Sequence, residues 1–392
     1  MEHNLENLVN AIEAARKSGR FFCKFLSPND TGSNGSHQDG IYLSMDAWNI
    51  FFNERPVLET GIEERLVKID LHNGKSFDSR VVYYTSKKEF RITRFWSNGT
   101  FQREERDDLV GALIVFIPLS KRNNEDYKVY IFNTEEEIEE FTQTFSLSFT
   151  RNYSVYQEYG YITETQTFED KVLELVAGYD AFPDTSIMAH ISRKAFMEYY
   201  NKTSIDYDKD LINWIDTEYT VFRLIEREVY KDKLIEPFYD LQSLLDFANS
   251  ALNRRKSRAG RSLEHHVNHI FTQQNIPFAN PGQTEGRKKP DFLLPSTEAY
   301  QNLAFPPENL ILLGAKTTCK DRWRQVLSEG ERVPQKHLLT LQQGISENQL
   351  EEMENAHLQL VVPKPYHNQY PRAYRQKLWS IHDFLKYVNE KY

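Results

Sequence analysis

The stretch Leu310-Ile-Leu-Leu-Gly-Ala-Lys316 is apolar at every position until it closes on a lysine. A strand apolar on consecutive residues, rather than on alternate ones, has both faces covered and lies inside a layered sheet. Helices must therefore cover it, and the neighbouring sequence offers them. Upstream, Pro290-Asp-Phe-Leu-Leu-Pro295 reads as a short strand bounded by prolines, and Ser262 is placed to cap a helix running through His265, Val267, Ile270 and Phe271. Downstream, a helix is expected from about Lys320 to Ser328, stopped by Gly330. Helix, strand, strand, helix is the order of an α/β layer. A further helical pattern runs from about Ser186 to Ala251, with Phe222, Leu224, Ile225, Val229 and Leu234 on one broad face.

The first part of the chain has a different texture. Arg80-Val-Val-Tyr-Tyr-Thr85, Arg91-Ile-Thr-Arg-Phe-Trp96, Ala112-Leu-Ile-Val-Phe-Ile-Pro118 and Tyr127-Lys-Val-Tyr-Ile-Phe132 are rich in β-branched and aromatic residues, and Asn73-Gly, Asn98-Gly and Asn123-Asn punctuate them as turns. Thr134–Phe141 is an acidic, helix-like stretch, while residues 151–183 have no clear period. At 392 residues two domains are expected. We place a β-rich domain at 1–150, a linker at 151–183 and an α/β domain at 184–392. No internal repeat or low-complexity tract interrupts them.

Charge is unevenly distributed. The formal total is −9, which taken alone argues against a polyanionic partner, yet residues 253–336 hold 14 basic and 8 acidic side chains, a net of +6, leaving −15 on the rest. No apolar run is long enough to span a membrane, and the acidic, polar first twenty residues lack the features of a secretory signal, so a cytoplasmic location with no membrane partner is expected. Cys23 and Cys319 are too few for a disulfide framework or a zinc cage.

The chemistry concentrates on an acid beside one strand, a lysine ending the next and an acid after the following helix: Asp291, Lys316 and Glu329. Hydrolysis of a phosphodiester calls for a divalent cation to polarise the phosphoryl oxygen and acidify a water. Hard carboxylate oxygens suit Mg²⁺, which needs only one or two protein ligands. Asp291 and Glu329 would be those ligands, with Lys316 as the orienting cation and no small-molecule cofactor besides. Arg322, Gln325 and Glu329 are spaced i, i+3 and i+7 and would share a helix face, with Trp323, Val326 and Leu327 turned to the core. Taken singly, each feature has a plainer explanation: Pro-Asp and a distant lysine co-occur by chance, and the run Asn253–Arg261 could be a solvated face. His265 and His266 are adjacent and so do not form a metal pair, Glu264 could simply favour a helix start, and Cys319 reads as a packed thiol.

Arg254-Arg-Lys-Ser-Arg-Ala-Gly-Arg-Ser-Leu-Glu264, Glu285-Gly-Arg-Lys-Lys-Pro-Asp-Phe-Leu293 and Lys316-Thr-Thr-Cys-Lys-Asp-Arg-Trp-Arg-Gln325 resemble the EcoRII-like type II (type IIE) restriction endonucleases. The resemblance continues more thinly at Leu26–Gly32, Gly35–Tyr42 and Arg91–Arg94. It implies an α+β/α/β two-domain chain: an N-terminal β-rich DNA-binding pseudobarrel and a C-terminal restriction-endonuclease-like α/β/α core of the PD-(D/E)XK type. It further implies a homodimer that cuts double-stranded DNA at a CCWGG-like palindrome, with a second site bound N-terminally as an allosteric effector that relieves autoinhibition. By the same resemblance Asp291, Lys316 and Glu329 are catalytic, with Glu264 supporting. Lys320, Asp321 and Arg322 would read the outer C:G pairs, and Arg255 would lie near the DNA. Lys24, Asn29, Asp30, His37, Tyr42, Lys87, Glu89, Arg91 and Arg94 would face effector DNA.

The chain departs from the usual restriction-type pattern at one place and from the EcoRII-like pattern at three. Gly314 stands two residues before the lysine, where restriction-type nucleases carry the second acid. Tyr219 fits a residue that holds an extruded nucleotide, but Ile215 occupies the place of its arginine partner, leaving the central base pair open. Phe90 and Thr85 replace basic residues in the effector loop. Two other readings are a sequence-specific DNA-binding protein that keeps the nuclease fold for dimerisation, and a modified-cytosine-dependent nuclease with Tyr42 and Trp96 in a base-holding cage. The intact Asp291, Lys316 and Glu329 set speaks against the first.

Overall fold

A computed structural model describes residues 2–33, 40–52, 61–97, 100–120, 125–148, 150–158, 165–320 and 322–392. The chain forms two compact units, Met1–Gly160 with Gln343–Leu350 and Asn368–Arg375, and Tyr161–Gln342 with Glu351–His367 and Gln376–Tyr392. No helix among the described residues is long and apolar enough to cross a membrane.

The first unit runs α1 (Glu2–Ser18), β1 (Arg20–Phe25), α2 (Pro28–Thr31), β2 (Gly40–Leu43), α3 (Trp48–Phe51), β3 (Ile62–Leu71), β4 (Ser76–Tyr84), β5 (Glu89–Thr93), α4 (Arg103–Asp108), β6 (Leu113–Pro118), β7 (Asp126–Phe132), α5 (Glu135–Thr144) and β8 (Tyr153–Gln157). The strands make one eight-stranded sheet in the order β2-β5-β4-β3-β7-β6-β1-β8. Asn73-Gly74 turns β3 into β4, with Gly74 at φ 83. Alternating side chains split the core in two: Phe22, Ile69, Val81, Ile92 and Phe116 pack on one face, while Phe21, Cys23, Val115 and Phe132 pack on the other against α1 and α5. Helix α5 starts in a reciprocal cap between Thr134 and Glu137, as the acidic stretch predicts.

The sheet curls. Ile41 and Leu43 of β2 share a core with Phe22 of β1, six strands away in the sheet order. The seam is closed by polar groups: Lys24 Nζ on β1 donates to Asp30 Oδ1 and to the Tyr42 carbonyl, each at 2.9 Å, and the Tyr42 N–H donates to Asp30 Oδ1 at 2.8 Å. Backbone groups on β2 that would otherwise be an open edge are thereby satisfied.

The rest of the chain runs α6 (Thr165–Val176), α7 (Thr185–Tyr199), α8 (Tyr207–Ile235), α9 (Leu241–Gln273), β9 (Phe292–Leu294), α10 (Thr297–Gln301), β10 (Ile311–Lys316), α11 (Trp323–Leu327), β11 (Lys336–Thr340), α12 (Glu347–Asn355), β12 (Leu358–Val361) and α13 (Ile381–Lys391). The stretch 151–183 is thus structured at both ends, with β8 paired to β1 and Val172 and Val176 of α6 packed against Met188, Val221 and Phe222. Strands β10, β11 and β12 are parallel and β9 is antiparallel to β10. His337 and Leu338 alternate on β11: His337 meets Phe384 of α13, which stacks on Phe271 of α9, while Leu338 faces the side of Gly314 and Val326 of α11. The sheet is therefore sandwiched between helices, the α/β/α arrangement expected for this half.

Three helix expectations are corrected. Ser262 does not cap a helix: α9 begins at Leu241 behind an Asp240–Ser243 capping box and runs unbroken past Ser262, which is buried. The basic run 254–261 is good helix-forming sequence, and one glycine does not stop it. Leu234 leaves the apolar face at the last turn of α8 and is 64% exposed. The helix expected over 320–328 is only α11, because the turns at Gln325, Ser328 and Glu329 bond to the third residue back and tighten the chain toward Gly330, at φ 63. Arg322 and Glu329 flank this helix, so they do not share a helical face with Gln325.

Candidate active site

Strand pairing places Asp291 immediately before β9, beside the C-terminal end of β10 that carries Lys316. Asp291 Oδ2 accepts from the Ala315 N–H at 2.7 Å and from Lys316 Nζ at 2.9 Å. One carboxylate oxygen thus fixes both the backbone and the side chain of the neighbouring strand, a charge-assisted geometry that holds the lysine in register with the acid.

Glu329 reaches the same place through packing. Gly314 lets α11 lie directly on β10, since a Cβ there would come 2.7 Å from Val326 Cγ2. Gly330 is constrained likewise: its φ is 63, and a Cβ would come 2.7 Å from Leu312 Cδ1. Between these two contacts, Glu329 is held in a turn. A clamp from the 285–288 loop secures it: Lys288 Nζ donates to the Ser328 carbonyl at 2.6 Å, and the Glu331 N–H donates to Glu285 Oε1 at 3.1 Å. Sequence reasoning passed over Glu285 and Lys288, although both lie in the motif carrying Asp291.

Glu264, on α9, completes the group. Its carboxyl is held above the ordinary glutamate range by burial and then by the neighbouring Asp291 charge, against a hydrogen bond from Asn280 and the charges of Lys316 and Arg261. Glu329 is raised for the same two leading reasons, burial and Asp291, with Lys316 and Lys288 opposing. Both glutamates feel the charges of Asp291 and Lys316, and the repulsion of each by Asp291 is the condition a cation would relieve.

Among the described residues no three or more His, Cys, Asp or Glu side chains form a cage for a metal. The donor chemistry present is a hard-oxygen pair, Asp291 and Glu329, with Glu264 beside it. That set fits Mg²⁺, which binds through one or two carboxylates and keeps most of its waters. His265 hydrogen-bonds Thr185 at 2.8 Å and His266 Nδ1 meets Arg193 at 3.0 Å, so the two histidines serve different partners inside the helical layer.

Two family descriptions match the chain, "Restriction endonuclease EcoRII, N-terminal" over residues 15–146 and "EcoRII C terminal" over residues 222–385. The type II restriction enzyme EcoRII of Escherichia coli is 34% identical over 391 residues, covering 95% of both chains. This chain belongs to the EcoRII family of type II restriction endonucleases. Solved structures similar to it include the restriction endonuclease PspGI with substrate DNA, 14% identical over 54% of this chain and 93% of that one at TM-score 0.44. Metal-depleted Ecl18kI with uncleaved, modified DNA is 20% identical over 57% of this chain and 84% of that one at TM-score 0.43. As an EcoRII-type enzyme the chain is a site-specific deoxyribonuclease, and the resemblance and the fold read from its sequence are borne out.

The residues that would read DNA in an EcoRII-type nuclease lie around α11 and on α8 and α9. Arg322 is the residue preceding α11, Lys320 is largely buried and Asp321 lies outside the described residues. Arg255 is engaged by Glu226 in two bonds, of 2.8 and 2.7 Å. Tyr219 lies under the guanidinium of Arg258, 3.9 Å from its ring centre, whereas Ile215 is buried in the helical core.

The residues expected at the effector surface divide into two groups. Lys24 and Asp30 are buried and form the seam of the barrel, with Ser27 and the Trp96 indole N–H also bonded to Asp30. Trp96 is buried as well, which withdraws it from a base-holding cage with Tyr42. Tyr42, Lys87 and Arg94 are exposed, Asn29 and Glu89 are half-buried, and Arg91 pairs with Glu89 at 3.1 Å across the strand pair from Tyr42. His37 lies outside the described residues. Phe90 is a core residue against Phe51 and Phe52.

Proposed function

We propose that the chain hydrolyses double-stranded DNA at a short CCWGG-like palindrome, as a homodimer using Mg²⁺, with its N-terminal unit binding a second site as allosteric effector. The observation that supports the cleavage chemistry in this reading is the Asp291–Lys316 pair, 2.9 Å apart where β9 meets β10, with Glu264 and Glu329 both within reach of its charges. A bound divalent cation supplies polarisation of the scissile phosphoryl oxygen and a more acidic water. Asp291 and Glu329 would hold it, and Lys316, kept in place by Asp291, would orient the phosphate and balance charge that develops on it. Arg322, beside the same turn, would couple reading of a guanine to the placing of Glu329. Exposed Tyr42, Lys87 and Arg94 would contact effector DNA, while Lys24 and Asp30 would shape the surface that presents them.

The test is to replace Asp291 and Lys316 singly by alanine. Each variant is expected to lose at least about 10²-fold in cleavage, the scale of a lost electrostatic stabiliser, while binding a site-bearing duplex almost as wild type does in Ca²⁺. Cleavage retained by either variant contradicts the site.

A further inference from the structure

Behind the acids lies a side chain that no role yet described uses. Asn280 Nδ2 donates to the main-chain carbonyl of Asp291 at 2.6 Å, and the same amide opposes the rise of the Glu264 carboxyl beside it. Its Oδ1 accepts from Asn268 Nδ2 at 2.8 Å. An amide donates from its nitrogen and accepts at its oxygen, and here Nδ2 serves Asp291 while Oδ1 serves Asn268, so the Asn268 bond decides which way the amide faces. Glu264 and Asn268 are i and i+4 on α9, and a single helix face delivers both the acid and the group that orients its partner. The backbone around Asn280 is pinned on both sides: Ala279 and Leu293 exchange bonds of 2.8 and 3.0 Å, and the Gly282 N–H donates to the Pro290 carbonyl at 2.9 Å.

We propose that Asn280, oriented by Asn268, is a positioning residue that anchors the main chain of Asp291 beside Glu264 and so sets the spacing of the acids around the cation position. This rests on the metal reading of Asp291 and Glu329 given above. Two carboxylates in a half-buried site repel each other, and the Asp291 main chain has to be held against that repulsion. A lysine or arginine could hold it, but would cancel the negative charge that attracts a cation. The neutral amide holds it and leaves the charge intact. Groups that orient metal-binding acids from behind typically change metal affinity or activity by about 10–100-fold when removed.

The test uses the full-length enzyme and the variants Asn280→Ala, Asn280→Asp and Asn268→Ala. Mg²⁺ binding without DNA is followed by calorimetry, and cleavage is measured as kcat and KM over a range of Mg²⁺ concentrations. Asn280→Ala and Asn268→Ala are expected to melt as wild type, to bind Mg²⁺ about 10–100-fold more weakly and to regain much of kcat at high Mg²⁺, with KM for DNA unchanged. Asn280→Asp keeps the shape but loses both donors, and it is expected to share the cleavage defect. Asn268 touches neither acid, so it keeps the test open if Asn280→Ala does not fold. Folded variants with wild-type Mg²⁺ affinity and Mg²⁺ dependence overturn the proposal. If Asp291→Ala is inactive in the same assay, that result removes the role of Asn280 alone; if Asp291→Ala still cuts, the metal reading itself has failed.

Discussion

Val326 packs onto the bare backbone of Gly314: a Cβ at 314 would come 2.7 Å from Val326 Cγ2 and 3.5 Å from Leu338 Cδ1. The strand position that would carry the second acid in the usual motif is here a contact between β10 and α11. An acidic side chain cannot occupy it without displacing the helix. Glu329, three residues beyond Val326, is delivered to the site by that same contact.

Gly314→Ala should therefore destabilise the enzyme by about 1–3 kcal/mol, the cost of inserting a methyl group into a packed interior. Adding Val326→Ala should recover part of the loss, because it removes the opposing methyl groups. Gly314→Glu should fail to restore cleavage to a Glu329→Ala enzyme. Urea denaturation and a cleavage assay check these points; a Gly314→Glu rescue would show that the strand position is open.

Glu329→Gln should separate stability from activity. Burial and Asp291 hold Glu329 above its ordinary range. A carboxyl raised on folding stabilises the fold below its unfolded pKa, and that contribution disappears as pH rises through the folded value. Without metal, then, the glutamine variant should melt above wild type at pH 7, and the gap should close toward pH 4. Its cleavage should fall by about 10²-fold or more. A variant that melts lower at pH 7, or a gap independent of pH, would count against the crowded-acid site.

Arg322 sits at the start of the turn that ends in Glu329. If it reads a guanine, Arg322→Ala should reduce discrimination between the full site and a site altered at one outer pair by about 1–3 kcal/mol. Cleavage rates on the two duplexes measure this directly. Equal loss on both would assign Arg322 to phosphate contact instead.

Trimming the N-terminus should be sensitive to α6. Val172 and Val176 cover Met188, Val221 and Phe222, so a chain starting at 161 should melt higher than one starting at 184, which strips that cover. The longer piece is also expected to cut single-site DNA more readily than the full chain does. A full-length enzyme equally active on single-site DNA would argue against restraint by the N-terminal unit.

The sequence made the ends of β9 and β10 legible, because prolines bracket one strand and the other is apolar on consecutive residues. Asp291 and Lys316 followed from those boundaries. The place of α5 was legible from the acidic, helix-like stretch Thr134–Phe141 for the same reason: the signal is local. The unbroken course of α9 was not, since an arginine-rich stretch reads equally well as a solvated loop or a helix. Nor were the tether at Asn280 and the seam between Lys24, Asp30 and Tyr42. These depend on which side chains meet across distant strands, and no local period encodes that. Gly314 was visible as a departure from the motif, but its reason, the approach of Val326, appears only when α11 is laid on the sheet.

The most direct measurement is to digest a phage DNA with the full-length enzyme in Mg²⁺, with Asp291→Ala alongside, and to sequence the fragment ends. Ends that map to one short palindrome with outer C-C and G-G, absent with Asp291→Ala or with the cation chelated, are the expected result. Intact DNA with the wild-type enzyme, or ends scattered without a common sequence, would contradict it.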